Sequence, residues 1–141
     1  MKAAALAPSE PRAIDYDWAV LRVVPRVHLG SCVNVAVLVH ARTEGFLDMR
    51  ALTDEETLAA RIPGVDAALL ARYLEACVAT CRGESSEGCG PSAVSLAPPS
   101  ERFHWLTAPR SDVLQASPVH GGVTHNPAET LRRLFDEQVG S

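Results

Sequence analysis

The chain has 141 residues, enough for one hydrophobic core and too few for two domains of ordinary size. Its 47% hydrophobic and 21% charged residues are the proportions of a folded globular protein, which excludes a disordered or fibrous one. A net charge of -4 gives no bulk attraction to nucleic acid or anionic membrane, and no window has the length and apolar content of a membrane span.

Met1 to Pro11 carries one lysine and a short alanine-rich patch broken by Pro8, shorter than the apolar core of a secretory signal. It reads as a flexible tail over residues 1–12 of a cytoplasmic protein, ahead of a single domain over 13–141. Tyr16 to Val24, rich in β-branched and aromatic residues and stopped by Pro25, predicts the first strand. Val33 to His40 predicts the second, with Val33, Val35, Val37 and Val39 on one face and Cys32, Asn34, Ala36, Leu38 and His40 on the other. The link Arg26 to Ser31 suits a hairpin, and a turn at Thr43-Glu44-Gly45 leads into a third strand, Phe46 to Arg50. Connections this short imply an antiparallel meander.

Thr53-Asp54-Glu55-Glu56 reads as a capping box opening a short helix that Pro63-Gly64 ends. From Asp66 to Arg82, Leu69, Leu70, Tyr73, Leu74, Cys77, Val78 and Cys81 recur at helical spacing, the strongest periodic signal in the chain. Residues 83–99 are rich in glycine, serine and proline, with strand character only from Ala93 to Ala97; the segment is expected to be mobile or moulded onto the surface. Val113 to Ala116 suits a last strand. Asn126-Pro127-Ala128-Glu129 opens a final helix whose apolar side is Leu131, Leu134 and Phe135. The fold class is α+β: one domain, an antiparallel meander sheet packed against two to three helices.

Four cysteines, without a secretory signal, are expected to be reduced thiols. Cys77 and Cys81 share a helical face, where two readings stand: core residues, or metal ligands joined by Cys89. His28, His40, His104 and His125 have no metal-ligand spacing among themselves. Neither a phosphate-binding glycine loop nor a Gly-x-Ser-x-Gly elbow around Ser111 or Ser117 is present, and no cofactor is expected.

The run Glu101 to Ser111, continuing through Ser117-Pro118-Val119-His120, is polar and rich in turn residues, too irregular to be one buried element. Binding groups concentrate on such loops. Arg102, Trp105 and Arg110 stand in it, and His120 before Gly121-Gly122 is placed to act as an acid or base near neutral pH. The alternative for His120 is a hydrogen bond that caps the last strand. Arg22 and Asn34 are polar groups in strand faces. Arg22 either meets a carboxylate such as Asp17 or Asp48 or points into a pocket under the Arg102–His120 run; Asn34 either bonds a neighbouring turn or joins that pocket. Trp105 and Phe103 read as loop anchors in preference to a base-stacking surface.

Tyr16 to Arg26, Val33-Asn34-Val35-Ala36-Val37, and Ser117-Pro118-Val119-His120 followed by Thr124 resemble the uncharacterised bacterial family catalogued as domain of unknown function 3037. Members of that family usually carry glycine at the position of Ala36. The resemblance implies a small cytoplasmic protein, often encoded beside a HipA-like kinase, and carries over no catalytic residues. Two functions follow as expectations. One is an accessory protein docking on a kinase-like partner. The other is a small enzyme for an anionic metabolite, with His120 as catalytic residue. The ligand- or partner-binding positions are Arg22, Arg26, Asn34, Arg102, Trp105, Arg110, Ser117 and Thr124. No membrane or nucleic-acid partner is expected, and a homo-oligomer stays open.

Overall fold

The computed structural model describes residues 12–24, 32–84, 92–108 and 113–140. The expected link from Arg26 to Ser31, together with Cys89, Arg110 and Ser111, lies outside the described residues. Strands β1 (Ile14–Val23), β2 (Val33–Ala41) and β3 (Phe46–Ala51) form the antiparallel meander that the β-branched runs of β1 and β2 and the short turn before β3 imply. Between β2 and β3 the chain makes one 3₁₀ turn, Arg42–Glu44, closed by Gly45 at φ 64°, a conformation that glycine adopts without strain. Two further strands, β4 (Leu114–Ala116) and β5 (His120–Thr124), both pair antiparallel with β1. β4 lies along its second half and β5 along its first. The sheet therefore runs β3-β2-β1, with β4 and β5 sharing the far edge of β1.

Helix α1 (Glu55–Arg61) starts one residue later than the capping box predicts. Its cap is Asp54 and not Thr53, because the Asp54 carboxylate accepts from both the amide (3.0 Å) and the hydroxyl (2.6 Å) of Thr57. A charged acceptor at a helix start also meets the positive end of the dipole. Helix α2 (Ala67–Cys81) is capped by Asp66, as its periodicity implies. Helix α5 (Pro127–Gln138) has Asn126 at its cap, accepting from the Glu129 amide at 3.1 Å.

Two expectations are corrected between these helices. Ser92–Ser95 is a short helix, α3, where strand character was read. The first part of the polar run is not irregular: Pro99–Thr107 is helix α4, with Phe103 and Leu106 buried. Proline at its first position and apolar residues three apart suffice to start and seat it.

The sheet is covered on both faces. On one, Leu21, Leu38 and Met49 pack with Leu58 of α1, Leu74 and Cys77 of α2, and Phe103 and Leu106 of α4. On the other, Tyr16, Val20, Val37 and Val39 meet Leu131 and Leu134 of α5. Burial on both faces explains why β2 is apolar almost throughout. It also breaks the simple alternation read for β2. The register slips between Leu21 and Arg22, so Val35 joins Ala36 and Leu38 on the α2 side while Val37 and Val39 face α5. Asn34, expected opposite all four valines, consequently reaches α5. Cys77 and Cys81 are fully buried in the larger cluster and form no disulfide, the core reading of that pair.

Candidate functional site

Most of the polar residues singled out from the sequence hold the fold together. Asn34 donates through Nδ2 to the carbonyl of Gln138 at 2.9 Å, and Arg61 donates to that of Val139 at 2.7 Å; both close the C-terminal end of α5. Ser117 takes a strand residue's place beside β1. Its amide donates to the Val20 carbonyl, its hydroxyl accepts from the Val20 amide at 2.9 Å, and that hydroxyl donates to the Pro118 carbonyl. Arg102 donates to the carbonyls of Cys81 and Ala97, tying α4 to the end of α2. Trp105 is half-buried against the larger core cluster. The Thr124 hydroxyl meets that of Thr130 at 2.6 Å and accepts from the Asn126 amide, bracing the start of α5.

His120 lies on β5 directly opposite Trp18, the ring centroids 4.7 Å apart, and is exposed. Arg22 sits opposite Asn34 and Gln115, four residues further along β1, or roughly 13 Å at the usual rise. Asp17 points to the opposite face from Arg22, and Asp48 is engaged by Arg82 at 2.8 Å. Arg26 and Arg110 lie outside the described residues. Gly122 has a structural reason of its own: a Cβ there would stand 2.7 Å from the Tyr16 ring, so the strand packs its backbone directly on that aromatic.

A different set of residues does converge. Asp15, Asp17, His40, Arg42, Ser100 and His104 line a cleft of about 480 Å³ between the β1–β2 hairpin and α4. The hairpin register pairs Asp17 with His40. Carried one pleat further, it sets Asp15 towards Arg42, so two carboxylates on one strand face an imidazole and a guanidinium on the next. From above, Ser100, Phe103 and His104 present one side of the first turns of α4.

His40 is the buried member. It is 6% exposed and its ring lies on Phe103, centroids 5.0 Å apart. It makes no hydrogen bond among the described residues, yet no polar side-chain atom there is sealed off without a partner, so the imidazole opens on the cleft. Burial pushes its pKa below the ordinary 6.5; the Asp17 carboxylate opposes that shift, and Arg42 and His104 add to it. At neutral pH the imidazole is therefore a neutral acceptor beside a carboxylate able to stabilise its protonated form. Among the described residues no three His, Cys, Asp or Glu side chains stand together as a metal-ligand group.

None of the seven sequence-chosen residues that lie among the described ones lines this cleft. The signal was the period of two: Asp15-x-Asp17 and His40-x-Arg42 each place polar groups on one face of a strand. It was hidden because the residues that assemble them into a wall and a roof belong to α4, whose helix was not recognised.

These features define a single-domain α+β protein, an open antiparallel sheet between helices with a polar cleft at one end. A family model described as "Protein of unknown function (DUF3037)" matches residues 18–139, and the chain belongs to that family. The match includes His40, Arg42, Ser100 and His104 and begins just after Asp17. Among curated proteins and among solved structures, nothing matches the chain.

Proposed function

We propose that the chain binds a small polar molecule in the His40 cleft and that His40 exchanges a proton with it. The observation that carries this reading is an imidazole buried to all but 6% that makes no hydrogen bond among the described residues and opens on a cavity of ligand size. A titratable group in a cleft, shifted by burial and set beside a charged partner, is the arrangement that ligand binding and proton transfer use. Neutral His40 is the base, Asp17 supports the imidazolium that forms, and Arg42 offers a fork to an anionic group. The role expected of His120 passes to His40.

The test follows the His40 ring resonances by NMR while simple amines, carboxylates, phosphates and sugars are added in turn. At least one class is expected to move them, and to leave the ring of His125, on the far side of β1, unmoved. If no class moves His40, the reading fails.

The accessory role is the second reading, with the HipA-like kinase of the family resemblance as partner. It is favoured by an apolar groove between α2 and β4, lined by Val65, Leu69, Leu70, Tyr73, Val113 and Leu114. Leu69 and Val113 are 55% and 51% exposed side by side there, which a lone surface leucine would not explain. The groove suits the apolar side chains of a segment of that kinase. Co-expressed with the kinase, the chain is expected to co-elute, and Leu69→Glu to abolish co-elution. Separate elution of the unmodified proteins would reject this role.

A further inference from the structure

Four exposed arginines of this chain pair with a carboxylate. Arg12 bonds Glu44, Arg82 bonds Asp48, Arg132 bonds Glu129 and Arg133 bonds Glu137. In the cleft the opposite charges stand apart. Among the described residues, Arg42 and Asp15, set towards each other by the hairpin register, make no ion pair, and Asp17 makes none either. Opposite charges a strand apart, left open at the mouth of one cavity, are complementary to a molecule that carries both signs.

The two ends of the cleft differ in chemistry. Asp15 and Asp17 are acceptors only and lie two residues apart on one strand face, beside a neutral His40 that also accepts. That end matches a group with several donors and a positive charge, which an ammonium is. The other end holds the Arg42 guanidinium and the start of α4. No side chain caps that helix, and Ser100, in its first turn, lines the cavity with both amide and hydroxyl uncommitted. The Glu101 and Arg102 amides are taken by the Pro98 carbonyl, so the Ser100 amide and hydroxyl, with the guanidinium, are the donors that match a carboxylate. Resting on the reading of the cleft as a ligand site, we infer that its ligand is a zwitterion of the free α-amino-acid type, its ammonium held by Asp15, Asp17 and His40 and its carboxylate by Arg42 and the first turn of α4. In that pose neutral His40 faces the ammonium and accepts a hydrogen bond from one of its N–H groups.

The experiment titrates the full chain with each of the twenty common amino acids, reading the His40 ring by NMR and the heat by calorimetry. Any binder is repeated as its N-acetyl derivative, which lacks the ammonium, and as its amide, which lacks the carboxylate. Each blocked form is expected to bind at least roughly tenfold more weakly, since each loses a set of charge-assisted hydrogen bonds. Asp17→Asn is expected to erase the discrimination against the N-acetyl form, and Arg42→Gln that against the amide, with Arg42→Lys restoring part of it. Unchanged melting of these surface variants separates lost binding from lost fold. The inference is overturned if a blocked form binds as well as its parent. It is also overturned if no amino acid moves His40 while a sugar, an amine or a dicarboxylate does, an outcome that leaves the cleft as a ligand site. If no compound of any class moves His40, both readings fall.

Discussion

His40 makes stability depend on pH in a direction fixed by its surroundings. Its folded pKa lies below the ordinary 6.5, so just under that pH the unfolded chain takes up a proton that the folded chain refuses. The contribution is complete above pH 6.5 and is lost as pH falls from there towards the folded value. Denaturant unfolding between pH 5 and 8 is expected to show this loss in the native protein and a smaller one in His40→Gln; identical pH profiles would mean that the imidazole is solvated. Gly122 gives a second prediction at this scale. Gly122→Ala puts a methyl group within 2.7 Å of the buried Tyr16 ring and is expected to destabilise by about 1–3 kcal/mol. In a Tyr16→Ala background the penalty is expected to shrink, because the two residues share one space. Neither role is readable from residue type alone. Gly121-Gly122 after a histidine suggests close approach to a ligand, and it takes the pairing of β5 with β1 to show that the approach is to tyrosine.

At the scale of elements, strength of local signal decides what was legible. β1, β2, α2 and α5 are legible close to their limits because each carries a β-branched run or a 3.6-residue apolar period with a cap, and β3 because a glycine turn sets it off from β2. β5 escaped because His-Gly-Gly-Val-Thr has little strand propensity, and its pairing with β1 comes from tertiary context. α4 escaped because only Phe103 and Leu106 mark its buried face. Ser117, which joins β4 to β5, had been grouped with binding residues; its hydroxyl instead satisfies the Val20 amide, deep in the sheet. Ser117→Ala leaves that amide without an acceptor and is expected to cost about 1–3 kcal/mol by denaturant unfolding. An unchanged midpoint would show that water replaces the hydroxyl.

For the molecule as a whole, the fold class is legible in the sequence and the candidate cleft is not, since a class follows from element types and a cleft from which elements meet. The placement of thiols tests the packing directly. Cys77 and Cys81 are sealed in the core and Cys32 is exposed. In the native protein a maleimide is expected to modify Cys32 within minutes and to reach Cys77 and Cys81 only on unfolding, as peptide mass spectrometry would record. Rapid native labelling of Cys77 would contradict a single sealed core.

β1 lies between β2 and the β4–β5 pair, and its partners arrive at very different times. The hydrogen bond between Val20 and Ser117 spans 97 residues. Until the last quarter of the chain leaves the ribosome, the hairpin of β1 and β2 has an unzipped side, with Leu21 and Val23 lacking their final neighbours. Helices α1 and α2 can gather on the hairpin early, but the sheet locks only when Leu114 to Thr124 docks, so acquisition of the fold is a late and cooperative event. The His40 cleft includes Val119, a residue of that last segment, so the cavity takes its final form only when the sheet does.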